Sequence, residues 1–195
     1  MKKLLLSVSF ILPCTRLCFG GIFDGPSLPF TKPEMVFSVG YGLPYPIYNT
    51  IGPVSGLSVG WLGPFQAKFE EQLTSYAGIG LCLNYFTSDF NWNNNTPYQF
   101  RLKIKTFSAL VRANFHFIRT EKTDVYWGVG LGLRQNNWYF SSNDPASPSS
   151  VTPTEIPYGA EVTIGMRYYV TPQFAFYAEA GAAKSAVQAG LTAKF

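Results

Sequence analysis

Tyr158-Gly-Ala-Glu-Val-Thr-Ile-Gly-Met-Arg-Tyr-Tyr-Val170 decides how the whole chain is read. Its even positions, Tyr158, Ala160, Val162, Ile164, Met166, Tyr168 and Val170, are apolar or aromatic, and its odd positions hold Gly159, Glu161, Thr163, Gly165, Arg167 and Tyr169. A period of two puts these sets on opposite faces of a β-strand. After Thr171-Pro172-Gln173 the alternation resumes, with Phe174, Phe176, Ala178, Ala180 and Ala182 against Ala175, Tyr177, Glu179 and Gly181. A third run sets Val187, Ala189, Leu191, Ala193 and Phe195 against Gln188, Gly190, Thr192 and Lys194.

Which face meets which solvent follows from their contents. A water-soluble barrel turns its apolar face inward and shows a charged face to water. Here the polar face is rich in glycine, which suits a crowded lumen, and the opposite face is an unbroken series of aliphatic and aromatic side chains, as contact with lipid requires. Charged residues make up only 13% of the 195 residues while aromatics reach 17%, and no apolar run approaches the ~18 residues of a spanning helix. The expected fold is therefore all-β, an eight-stranded antiparallel up-and-down transmembrane β-barrel.

Strands are expected at 35–43, 65–73, 76–86, 107–118, 125–139, 158–170, 174–182 and 187–195, and none of the fourteen prolines falls inside these intervals. Leu57, Val59 and Trp61 share the odd phase of Phe65, so the second strand is expected to continue upward across Gly63-Pro64. Phe100, Leu102 and Ile104 are out of phase with the outward series from Phe107 to Phe117, which predicts a bulge near Thr106. Connections alternate long (44–64, 87–106, 140–157) and short (74–75, 119–124, 171–173), with 183–186 a tight connection on the long-loop side. That asymmetry predicts short periplasmic turns, longer surface loops and both termini in the periplasm. Phe37, Phe115, Phe117, Trp127, Tyr168, Phe174, Phe176 and Phe195 are expected at the periplasmic rim. Tyr41, Phe65, Tyr85, Phe107, Tyr139 and Tyr158 are expected at the outer rim.

Lys2 and Lys3, the apolar run Leu4 to Leu12, and Cys18-Phe19-Gly20 fit a signal peptide over residues 1–20. Residues 21–34, with Pro26, Pro29 and Pro33, are a periplasmic lead-in, and 35–195 form the barrel. Removing the signal leaves 12 basic against 11 acidic residues. A net charge of +1 gives no electrostatic basis for nucleic-acid binding. Cys82, alone once Cys14 and Cys18 depart, cannot form an internal disulfide and reads as a small lumen filler.

With these residues in place, the chain resembles small outer-membrane barrels of the OmpX and OmpA transmembrane-domain kind. Its closing pattern, from Tyr158-Gly-Ala through Phe176-Tyr-Ala-Glu-Ala-Gly to Gly190-Leu-Thr-Ala-Lys-Phe195, is similar to barrels common in Bacteroidetes. The resemblance implies location in the bacterial outer membrane among outer-membrane lipid and lipopolysaccharide. It also implies that Leu191, Ala193 and Phe195 serve as the signal read by the barrel-assembly machinery.

The inward-facing polar set comprises Lys68, Glu70, Arg112, His116, Arg134, Glu161, Arg167, Glu179 and Lys194. An eight-stranded bore holds little beyond its own side chains, so these groups are expected to pair with one another. If 171–173 is a three-residue turn, Glu179 lies opposite Gly165 with Arg167 diagonal to it. If 183–186 is a four-residue loop, Gly190 flanks Glu179 on the other side, and Arg167 is expected to reach the carboxylate. The function expected is a plugged, ion-paired envelope protein with a structural or surface-recognition role, Tyr45, Tyr48, Trp92, Tyr98 and Trp138 being candidate loop contacts. The alternatives are a narrow gated pore and, behind it, a lipid-modifying enzyme. Gly128-Val-Gly130-Leu-Gly132 continues as a strand and does not turn into a helix, so it is no phosphate loop. Catalysis by His116, the one histidine, would need a nucleophile beside it at the lipid face. Its phase points to the lumen, and Ile118 stands two residues on. No catalytic, cofactor or metal site is expected.

Overall fold

The computed structural model describes residues 34–43, 57–93, 97–146 and 157–195. The expected signal peptide and nearly all of the lead-in lie outside the described residues, as do Tyr45 and Tyr48. Eight strands run in order: β1 (Met35–Leu43), β2 (Ser58–Gln72), β3 (Ala77–Trp92), β4 (Phe100–Arg119), β5 (Thr123–Ser142), β6 (Tyr158–Tyr169), β7 (Phe174–Ala182) and β8 (Val187–Lys194). Each pairs antiparallel with the next, and β1 pairs with β8, so the sheet closes into a barrel. The all-β, eight-stranded up-and-down barrel expected from the sequence is the fold observed.

Alternation has the sense that the composition predicts. Val39, Leu81, Val111, Leu131, Ile164 and Leu191 are exposed on the outside, while Ser38, Asn84, Arg112, Glu161, Thr163 and Thr192 are buried inside. This is the reverse of a water-soluble barrel. From Ala77 to Tyr85 on β3 the outward side chains are Ala, Ile, Leu, Leu and Tyr, a band of about 20 Å along the axis for strands tilted at ~40°. Tyr41, Phe65, Tyr85 and Phe107 are successive cross-strand partners and form one aromatic row over four strands. Phe115 and Trp127 stack at 4.9 Å near the opposite end of the band.

The three short turns share a device. Thr74, Thr120 and Thr171 each stand at the start of a turn, and each hydroxyl accepts a hydrogen bond of 3.0 Å from the backbone N–H three residues on, at Ala77, Thr123 and Phe174. A threonine hydroxyl that satisfies the first free amide of the returning strand fixes a tight turn.

At the long-loop end β2, β3, β4 and β5 continue beyond the other four strands, and several expectations change there. The interval 87–106 is not a loop. Trp92 pairs with Phe100, and the β3–β4 ladder runs without a register shift from there to Ala77 and Phe115. No bulge therefore exists at Thr106. The irregularity in β4 lies between His116 and Ile118, where Phe117 is the extra residue. On β2 the register shifts between Leu62 and Phe65, around Gly63 (φ +93°) and Pro64. The extra residue reverses the phase, so Leu62 and not Trp61 continues the face of Phe65. Pro64 thus lies within a strand, at the bulge that tolerates it.

In this projecting ribbon the amphipathy inverts. Arg101, Lys103 and Lys105 lie on the outer face in phase with Phe107, while Phe100, Leu102 and Ile104 face inward. Trp92 stacks on Phe100 at 5.7 Å and meets Phe140 at 6.4 Å. What the sequence presents as a phase error is one continuous strand whose outer face changes from apolar to charged side chains. Tyr139 pairs with Lys103, two pleats above the aromatic row, and so stands outside the rim in which it was expected.

Candidate functional site: the charged lumen

Lumen side chains are borne on every second residue and separated by glycines that leave them room. A Cβ at Gly165 would fall 2.6 Å from Glu179 Cγ and 2.6 Å from Tyr126 Cζ, and one at Gly128 would fall 2.6 Å from Arg112 Nε. The inward glycines of β5 and β6 are thus the wall against which the large polar groups pack.

Two clusters fill the bore. In the first, Glu179 receives Lys68 Nζ at 2.7 Å, Arg112 Nη2 at 3.0 Å and the hydroxyl of Tyr126 at 2.6 Å. Arg112 also donates to Glu161 at 2.8 Å and to Thr163 Oγ1 at 2.7 Å. In the second, Arg167 pairs with Asp124 at 3.0 Å and with Glu70. His116 lies between these two acids, with Nε2 2.8 Å from Glu70 and Nδ1 2.6 Å from Asp124. Asn114 joins the clusters, accepting from Arg112 Nε and donating to Glu70, both at 2.7 Å. The Arg167 guanidinium also lies 4.4 Å from the centre of the Tyr126 ring.

Ionised carboxylates only accept hydrogen bonds. Both ring nitrogens of His116 face carboxylates, so both donate, and the ring is an imidazolium. Lys68, Arg112, Arg167 and His116 then balance Glu70, Asp124, Glu161 and Glu179, four charges against four. Cys82, Leu110 and Phe86, all buried, occupy the lumen toward the long-loop end.

Seven of the nine residues expected in the lumen meet in this network. Arg134 stands at the mouth and donates to the backbone oxygen of Tyr158 at 3.2 Å. Lys194 lies at the opposite rim, 3.3 Å from Glu34 and over the Tyr169 ring. Arg167 does not reach Glu179. Its partners are Asp124, directly opposite it on the neighbouring β5, and Glu70 on β2, across the bore. Gly165 does lie opposite Glu179. On the other side the register is two residues tighter than expected: Gln188, not Gly190, faces Glu179 and donates to it. Asp124 was missed because 119–124 reads as a charged turn, although its even number continues the inward phase of Tyr126 and Gly128.

His116 has neither nitrogen free, so it cannot serve as a base. Among the described residues no group of three or more histidine, cysteine or acidic side chains is placed to hold a metal.

No family model matches the chain, and no curated protein matches it. Two solved structures of Ail, the attachment invasion locus protein of Yersinia pestis, are similar to it. The one in complex with the heparin analogue sucrose octasulfate has 14% identity and a TM-score of 0.42, covering 84% of this chain and 99% of that one. The other has 12% identity and a TM-score of 0.40 over the same shares. At such identity the likeness is one of fold.

Proposed function

We propose that the chain is an integral outer-membrane protein, exported by residues 1–20 and inserted through its C-terminal signal at Leu191, Ala193 and Phe195. Its interior is closed, and its role in the cell envelope is structural or one of surface recognition. The observation that carries this reading is the balanced, buried network of four cations and four carboxylates that fills the bore under an apolar outer wall. An eight-stranded barrel has no space for an aqueous path beside such a plug. Charges this well matched also have little reason to part, because a separated buried ion faces its full desolvation cost. The engagement of both His116 nitrogens supports a non-enzymatic role. The projecting ribbon supports recognition: it carries a cleft of about 570 Å³ bordered by Trp92, Phe100, Arg101 and Ser142.

Planar-bilayer recording tests the reading. The purified barrel should give no unitary conductance, and regular open-channel steps from the wild type would replace it with the gated-pore alternative.

A further inference from the structure

The cleft of about 570 Å³ lies at the end of the projecting ribbon. Part of its lining is aromatic. Trp92 and Phe100 are cross-strand partners whose rings stack at 5.7 Å with their planes 15° apart, and the Phe140 ring lies 6.4 Å from that of Trp92. Both stacked rings are only half-buried, so part of the aromatic surface stays open. Around them stand short amide and hydroxyl side chains. Asn143 ties the chain just past the ends of β4 and β5 together: its Oδ1 accepts from the Gln99 backbone N–H at 2.7 Å, and its own backbone N–H donates to the Gln99 oxygen at 3.3 Å. Its Nδ2, the whole Gln99 carboxamide and the Ser141 hydroxyl have no partner among the described residues.

Of the nine residues that line the cleft, Arg101 alone is charged, and it is engaged: Nε donates to Asp89 Oδ1 at 2.9 Å and the two form an ion pair. The cleft therefore offers a flat aromatic surface and planar amides with no uncompensated charge. An amide sets donors beside an acceptor, which is what two neighbouring hydroxyls of a sugar ring require. An aromatic face is electron-rich and attracts the weakly positive C–H groups that a pyranose ring presents on its less polar side. The volume is that of a small-ligand site.

We infer that this cleft binds an uncharged oligosaccharide, with Trp92 as the stacking residue and Gln99, Asn143 and Ser141 as the hydroxyl-binding residues. An ionic ligand would gain little from the compensated Arg101. A wholly apolar one would cover the amides and the hydroxyl without satisfying them, which costs free energy. The inference rests on the surface-recognition reading proposed above and names the ligand class for it. With no ion pair between protein and sugar, binding is indifferent to salt.

The test presents the full mature barrel, in zwitterionic micelles and with folding checked by heat-modifiable gel mobility, to an array of neutral oligosaccharides from animal glycoproteins and from bacterial surface polysaccharides. At least one group of related sugars should be retained, and its origin tells which kind of cell supplies the ligand. Calorimetric titration with that sugar should give an affinity unchanged by about 0.5 M sodium chloride. Trp92→Ala should weaken binding about tenfold. Gln99→Ala, at an exposed side chain that makes no contact of its own in the ribbon, should weaken it about fivefold, and Trp92→Phe should keep most of it. An array with no retained sugar would overturn the inference, as would wild-type affinity in either alanine variant. Tighter binding of a sulfated form of the same sugar, or release by salt, would overturn it too, by revealing an anion site. A barrel that is silent in planar bilayers yet captures no sugar sinks this inference alone, whereas regular channel steps sink the closed-barrel reading whatever the array shows.

Discussion

Glu179 is the acid whose loss would be felt most, since Lys68, Arg112, Tyr126 and Gln188 all converge on it. Glu179→Ala leaves two buried cations short of a partner and should cost about 3–5 kcal/mol, measured as urea-induced unfolding of the barrel in detergent. Stability equal to wild type would mean that the carboxylate is not a buried partner. His116 allows a second measurement: nitrogen NMR at neutral pH should find a proton on both ring nitrogens, and a single tautomer would break the four-against-four balance. At this scale the sequence is legible as to face and poorly legible as to partner. Even and odd numbering placed Arg112, Glu161 and Arg167 in the lumen. Arg167 takes Asp124, its cross-strand partner, and also Glu70, which no pairing of adjacent strands brings to it; that second contact follows from strand tilt and stagger across the bore, which no local pattern encodes.

At the scale of the element, β4 is the instructive strand. From Phe100 to Phe115 it keeps one register against β3, yet its apolar side changes face at Thr106. Alternation marks a strand only where one apolar surrounding lasts its whole length, so residues 100–106 carry the pattern of a loop ended by a bulge although they are strand. The bulges that do exist, at Gly63-Pro64 and Phe117, are set by pairing. The short strands β1, β7 and β8 keep one apolar face throughout, and their expected starts agree with those observed. β5 offers a test of where the apolar surroundings stop. Leu131 and Asn137 share its outer face, on opposite sides of the level of Phe107, whose partner is Gln135. Leu131→Arg should destabilise the barrel by about 2–4 kcal/mol, as for a charge near the bilayer midplane, and Asn137→Arg by less than about 1 kcal/mol. Reversible unfolding in lipid vesicles would measure both. Equal costs would show that one medium surrounds both positions.

For the whole molecule, closure governs both stability and assembly. The fold was legible because inside-out amphipathy with short turns on one side has few other solutions. The length of the projecting ribbon was not, because its strands are recognised by pairing with one another and not by a lipid-facing stripe. The seam has a consequence for biogenesis. Met35 and Phe195 exchange backbone hydrogen bonds of 3.1 and 2.9 Å, and Val36 to Leu43 zip against Lys194 to Val187. This first-to-last contact spans about 160 positions, the slow kind of pairing in any folding chain. Until it forms, the first strand keeps a bare edge able to recruit a foreign one. The interval before the last hairpin arrives is therefore the one in which the unclosed sheet lies open to foreign pairing.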